Sequence, residues 1–137
     1  MALLEEESQK QFYLEAELME GIHLLIDSDH VKRNLKGDRG MEKAREILAV
    51  VPSLIETKPI GDIVMYDMGN GVVGFILLED GGHVKIRTSP EEGEYHAEIL
   101  MYDNNRFELA KTLVQFIYGG RTTFRTKLRG DNHFREG

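Results

Sequence analysis

The fold is decided by residues 70–102, which read NGVVGFILLEDGGHVKIRTSPEEGEYHAEILMY. Apolar and β-branched residues form three short runs in this stretch, and turn residues bound each run. The predicted strands are Val72–Leu78, His83–Thr88 and Tyr95–Tyr102, with turns at Asn70-Gly71, Asp80-Gly81-Gly82 and Pro90–Gly93. Tight turns of this kind join antiparallel neighbours. The stretch therefore predicts a set of antiparallel strands.

Two segments outside this stretch have the apolar spacing of helices, with apolar residues recurring at steps of three and four. The first is Arg39–Val50, and it is predicted to end at Pro52, which cannot continue the pattern. The second runs from Phe107 to Ile117 and is closed by Gly119-Gly120.

The remaining apolar segments predict further strands. Phe12–Ile26 alternates apolar and polar residues, as a half-buried strand does, and Gly21 is a candidate bend or bulge within it. A helix through Glu17 is the alternative interpretation, and residues 5–10 are predicted to be helical on either view. The shorter predicted strands are Leu54–Thr57, Ile63–Asp67 and Arg121–Leu128.

This order of elements predicts an α+β fold: a two-layer α/β sandwich with a mainly antiparallel sheet and two main helices on one face. Such an arrangement buries every apolar stripe in the sequence. No repeat, low-complexity tract or linker divides the chain. Residues 1–137 are therefore predicted to form a single domain, with a core at about 18–128 and a flexible tail at 129–137.

Composition excludes several classes of function. The net charge of −7 argues against a nucleic-acid partner, because phosphate binding requires a basic surface. The absence of cysteine excludes disulfides, thiolate zinc sites and a cysteine nucleophile. The five histidines form no short-spaced pair, so no metal site is predicted. No apolar run is long enough to span a membrane and no secretory signal precedes the domain, which predicts a cytoplasmic protein.

The central stretch resembles the prokaryotic and archaeal S-adenosylmethionine decarboxylases. The similarity lies in GVVGFILL at 71–78, HVKIRTSPE at 83–91 and the segment 93–99 that follows, where the family has roughly G-V-S-G, E-S-H-x-S-I-H-T-W-P-E and G-Y-A-A-V-D. Upstream, GIHLL at 21–25 resembles the family's G-x-H-L-L first strand. The resemblance extends over about residues 18–128 and implies the same sandwich fold, a homodimer and a place in polyamine metabolism.

The residues that carry the family's chemistry are replaced. The family's serine attacks the preceding carbonyl, and the chain then cleaves to leave a pyruvoyl cofactor. Gly82 occupies the place of that serine, and no Ser, Thr or Cys lies between Leu78 and Lys85. Arg87 stands where the family has its processing histidine and Tyr102 where it has its catalytic cysteine, while Val73 replaces the serine of G-V-S-G. No catalytic residue and no cofactor are therefore expected, and pyruvoyl-dependent decarboxylation is excluded.

Features that the resemblance associates with ligand binding remain. Glu91 matches the acidic residue that holds a ribose in the family, and Tyr66 lies near the position of a ring that stacks on adenine. His83 and Arg87 alternate along one strand face with Lys85, and such a cluster suits a carboxylate or phosphate. The predicted ligand-binding residues are thus Glu91, Arg87, His83 and Tyr66, with an S-adenosylmethionine-like compound as the candidate ligand.

Three hypotheses of function follow. The first is a decarboxylase relative that cannot process itself and that binds a small metabolite or regulates a protein partner. The second is an enzyme of different chemistry on the same scaffold, with proton transfer by His83, Glu91, Glu98 and Tyr102. The third is a purely structural or assembly module.

Overall fold

A single seven-stranded antiparallel sheet forms one layer of the computed structural model, which describes residues 21–31, 35–102, 107–128 and 135–136. The order across the sheet is β2-β3-β4-β5-β1-β6-β7, so the first strand lies between β5 and β6. The strands are β1 (Ile22–Asp29), β2 (Pro59–Asp67), β3 (Val72–Leu78), β4 (His83–Ser89), β5 (Glu94–Met101), β6 (Arg121–Leu128) and β7 (Arg135–Glu136). A 3-10 turn at Pro90–Glu92 joins β4 to β5.

Two helices, α1 (Gly37–Leu54) and α2 (Glu108–Tyr118), form the second layer. Residues with even numbers in β1, Ile22 to Ser28, are buried, whereas the odd-numbered residues are half-buried. In α1 the buried residues Ala44, Ile47, Leu48 and Val51 follow the three- and four-residue steps of one helical face. They share one apolar core with the inward residues of the sheet and of α2. The predicted two-layer α+β sandwich is confirmed.

The first helix continues through the proline that was predicted to end it. Pro52 lies in the last turn of α1, where its ring is buried and its missing N–H costs only one helical hydrogen bond. The Ile55 N–H still donates to the Val51 carbonyl at 3.1 Å, and the Thr57 N–H donates to the Pro52 carbonyl at 2.9 Å. The prediction of a strand at 54–57 was therefore wrong, because these apolar residues end the helix and bury Ile55 in the core.

The hairpin between β2 and β3 turns one residue earlier than predicted. The Met68 N–H donates to the Gly71 carbonyl at 2.8 Å, so Gly69 and Asn70 are the two central residues of the turn. Gly69 has a φ of 82°, as the first central position of a type II′ turn requires. The Asp67 carboxylate also accepts a hydrogen bond from the Gly69 N–H at 2.8 Å.

The strands at the two ends of the domain have bounds other than those predicted. The predicted first strand began at Phe12, but residues 12–20 lie outside the described part, and β1 extends to Asp29. The predicted helix at 5–10 and the alternative helix through Glu17 also lie outside it. Within the expected flexible tail, Arg135 and Glu136 form β7 and pair with Thr126 and Arg125 of β6. Among the described residues, no helix is long and apolar enough to cross a membrane.

Candidate functional site

The sheet has one face covered by the helices and an opposite face, here called the open face, that carries most of its polar side chains. Alternation along each strand assigns residues to the two faces. On β4, Val84, Ile86 and Thr88 are buried beneath the helices. The residues of the open face include His23, Asp27 and Asp29 on β1, His83, Lys85 and Arg87 on β4, His96, Glu98 and Leu100 on β5, and Arg121 and Arg125 on β6.

Gly82 is buried at the start of β4, in the position that the resemblance gives to the self-processing serine. A β-carbon at Gly82 would overlap the backbone carbonyl of Leu100 on the neighbouring strand. The turn itself is held by Asp80, whose carboxylate accepts hydrogen bonds from the Gly82 N–H at 2.8 Å and from the Tyr102 N–H at 2.9 Å. The site therefore lacks both the hydroxyl and the space for a side chain.

Arg87 lines a pocket of about 240 Å³ on the open face, here called the Arg87 pocket. Charged residues of both signs surround it, including Glu94 of β5, Asp27 of β1 and Arg121 of β6. Partial loss of hydration, followed by the charge of Glu92, raises the pKa of the exposed Glu94 carboxyl above its usual range. The guanidinium of Arg87 forms no ion pair or hydrogen bond with any other residue in the described ranges.

Two further arginines on the open face, Arg121 and Arg125, are paired with acidic residues, and sequence reasoning missed both pairs. Arg121 donates to both carboxylate oxygens of Asp29, at 3.0 and 2.9 Å. Arg125 donates to Asp27 at 3.1 Å, and His96 Nδ1 lies 2.6 Å from the other oxygen of Asp27. Neighbouring strands place these partners side by side, which no pattern within a single strand could indicate.

The remaining predicted ligand-binding residues lie in different surroundings. Glu91 is exposed in the 3-10 turn and lines a second cavity of about 330 Å³, together with Lys36, Asp67 and Asn70. Tyr66 projects from β2 with 62% of its surface exposed. Neither residue lines the Arg87 pocket, so the structure does not bring the four predicted residues together there.

His83 belongs to a third group, with His23 and Glu98. The Nε2 atom of His23 is hydrogen-bonded to a carboxylate oxygen of Glu98, and His83 Nε2 lies 3.8 Å from the same oxygen. The hydrogen bond to His23, and then the one to His83, hold the pKa of Glu98 well below its usual range. Of the four residues considered for proton transfer, His83 and Glu98 are neighbours. Tyr102 instead lies beside Gly21 and Gly81, and Glu91 lines the second cavity.

Comparison with solved structures finds similarity to the adenosylmethionine decarboxylase of Aquifex aeolicus VF5. The TM-score is 0.67 at 20% sequence identity, over 84% of this chain and 94% of that chain. No protein-family model and no curated protein sequence matches the chain. At this level of identity the similarity establishes the fold, which agrees with the resemblance seen in the sequence.

Proposed function

We propose that this protein is an S-adenosylmethionine decarboxylase relative that stays uncleaved and binds a small metabolite with a carboxylate group. The observation that carries the proposal is Gly82, which has no hydroxyl and packs against the Leu100 carbonyl. Formation of a pyruvoyl group begins with attack of a side-chain oxygen on the preceding carbonyl, and glycine cannot make that attack. Binding without pyruvoyl-dependent decarboxylation is the role that we propose for this scaffold.

Arg87 supports the choice of a carboxylate ligand. A guanidinium presents a planar fork of N–H donors that matches a carboxylate in a bidentate arrangement. Arg121 and Arg125 already donate to Asp29 and Asp27, whereas Arg87 has no acidic partner among the residues the structure describes. Glu94, on the same pocket, offers an acceptor for an ammonium group. An amino acid moiety, such as the methionine part of an adenosyl compound, offers a carboxylate to Arg87 and an ammonium group to Glu94.

Two measurements test this proposal. Intact-mass spectrometry of purified protein should give one uncleaved chain, and a product split near Gly81 would refute the non-processing part. Thermal unfolding should then be followed with S-adenosylmethionine, decarboxylated S-adenosylmethionine and spermidine. A ligand at one hundred times its Kd stabilises the folded state by about 2.7 kcal/mol, which raises the Tm of a domain of this size by several degrees.

Variants separate the two candidate contacts. Arg87→Ala should abolish the shift given by S-adenosylmethionine, and Glu91→Ala tests the ribose contact implied by the resemblance. Arg45→Ala, at an exposed position on α1, is the matched control and should leave the shift unchanged. The absence of any shift in wild type at millimolar concentration, or a shift that survives Arg87→Ala, would contradict this ligand site.

A homodimer that uses the exposed β2–β3 edge of the sheet is the second part of the proposal. Among the described residues, helices cover only one face of the sheet, and exposed apolar side chains lie near its β2–β3 edge, including Leu77 at 48% and Val64 at 41% exposure. Leu77→Lys should shift light scattering from a dimer mass to a monomer mass. Leu109→Lys changes a leucine on α2 that is 62% exposed and should leave the dimer intact. A monomeric wild type at micromolar concentration would contradict the proposal.

A further inference from the structure

His23, His83 and Glu98 lie together on the open face although they are distant in the sequence. β5 lies between β4 and β1, and the register places Leu100 opposite both His23 and His83. Glu98 is two residues before Leu100 and projects from the same face, so both imidazoles are its diagonal neighbours. Their ligand atoms all lie within 4.8 Å of one another.

We propose that His23, His83 and Glu98 form a binding site for a divalent transition metal ion, with Zn²⁺ as the preferred ion. Two imidazole nitrogens and one carboxylate oxygen form a donor set that Zn²⁺ accepts in open, three-ligand sites. Imidazole donors also disfavour Mg²⁺ and Ca²⁺, which prefer oxygen. None of the three residues lines the Arg87 pocket, so this site goes beyond the function proposed above.

The distances suit such a site after small side-chain rotations. Ligand atoms about 2.1 Å from a tetrahedral zinc are roughly 3.4 Å apart. The His83 Nε2 atom is 3.8 Å from Glu98 Oε1, and the His23 Nε2 atom already contacts that oxygen. An ion entering between them would replace the His23–Glu98 hydrogen bond with two coordinate bonds.

The surroundings favour binding without closing the site. The three side chains keep 20–25% of their surface exposed, so an ion can enter and a fourth position stays open to water or to a ligand. Leu100, which lies between the two histidine positions, is 8% exposed, and the Phe75 ring centroid is 5.9 Å from that of His83. This apolar border limits hydration of the bound ion.

Zinc binding to untagged protein tests the proposal. Isothermal titration with Zn²⁺ should give one site per chain, and His23→Ala, His83→Ala and Glu98→Gln should each weaken binding at least tenfold. Co²⁺ should give the visible absorption bands of a four-coordinate site in wild type and in none of these three variants. His96→Ala is the matched control, because His96 lies two residues from Glu98 on the same face and contacts Asp27 instead.

Loss of zinc binding can be distinguished from a general loss of folding. Each variant should keep the wild-type circular dichroism spectrum, and Zn²⁺ should raise the Tm of wild type and of His96→Ala alone. No zinc binding by wild type at about 100 μM, equal loss in His96→Ala, or unchanged binding in the His23→Ala/His83→Ala double variant would overturn the proposal. If a variant unfolds, the Co²⁺ spectrum of wild type still tests the proposal. A spectrum typical of six-coordinate Co²⁺ would overturn the proposed site.

Discussion

The carbonyl of Leu100 on β5 occupies the space into which a side chain at Gly82 would project. The contact follows from the sheet register, because His83, the next residue after Gly82, pairs with Leu100. A glycine is required at this position by the present backbone, independently of any chemistry. The packing of β4 against β5 therefore leaves no space for a nucleophilic side chain at this position.

Gly82→Ser should not restore self-processing. The added side chain meets backbone, which cannot move aside as a flexible side chain can, and overpacking of this kind costs about 1–3 kcal/mol. Intact-mass spectrometry should still show one chain, and urea denaturation should show the loss of stability. Glu79→Ser places a hydroxyl at an exposed position in the same turn and should leave stability nearly unchanged. Cleavage of Gly82→Ser would show that the turn rearranges to hold a serine.

Val51 and Val50 provide a test of how α1 is oriented on the sheet. Val51 is fully buried and Val50 is 36% exposed, although they are adjacent on one helix. Val51→Ala should lower the free energy of unfolding by about 2 kcal/mol, because two buried methyl groups are lost and a cavity remains. Val50→Ala should change it by less than about 0.5 kcal/mol. Urea denaturation measures both, and equal losses would mean that α1 is rotated from the position described.

Tyr118 should limit stability at alkaline pH. Its ring packs 4.1 Å from that of Tyr95, and its hydroxyl is buried with no hydrogen-bond partner in the described ranges. Burial raises the pKa of Tyr118 well above its usual range. A raised tyrosine pKa means that stability is complete below about pH 10, the unfolded value, and is lost as the pH rises further.

Tyr118→Phe should therefore extend stability to higher pH. It should also stabilise the protein at neutral pH by about 1 kcal/mol, because a buried polar group without a partner is removed. Tyr66→Phe is the control, since the Tyr66 side chain is 62% exposed. Urea midpoints measured from neutral pH to about pH 11 check both statements. Destabilisation by Tyr118→Phe would indicate that the hydroxyl has a partner.

The Asp29–Arg121 ion pair should make a small, salt-sensitive contribution to stability that is lost at acid pH. Hydrogen bonds from Arg121, and then from His30, hold the pKa of Asp29 below its usual range. A lowered carboxyl pKa stabilises above the unfolded value of about 3.9, and that contribution is lost as the pH falls. Arg121→Ala should thus lose less stability than wild type between neutral and acid pH.

The effect should be small because the pair is exposed and solvent screens it. Arg45→Ala, the same change at an exposed position on α1, should keep the acid dependence of wild type. The difference between Arg121→Ala and wild type should also shrink in about 1 M salt, where screening is strong. Identical acid profiles for Arg121→Ala and wild type at low salt would exclude a role for the pair.

The sequence by itself determined the features that depend on local pattern. The apolar run Val72–Leu78, bounded by turn residues, predicted a strand. Three-and-four spacing in Arg39–Val50 predicted a helix because that repeat reflects one buried face. The absence of a hydroxyl at Gly82 likewise needs no structure, since it is a matter of residue type. Local pattern failed at Pro52, where burial of the ring and of Ile55 in the common core outweighed one missing hydrogen bond.

Only the tertiary structure decided which side chains meet. His23 and Glu98 are 75 residues apart, and Asp27 and Arg125 are 98 apart, yet the strand order makes each pair neighbours. Placing β1 between β5 and β6 is a property of the whole sheet, and a change of register by one residue would move each of these side chains to the other face. For this reason the sequence predicted no metal site. It also predicted that Glu91, Arg87, His83 and Tyr66 together form one ligand site. The structure instead places His83 beside Glu98, Arg87 on its own pocket and Glu91 on another cavity.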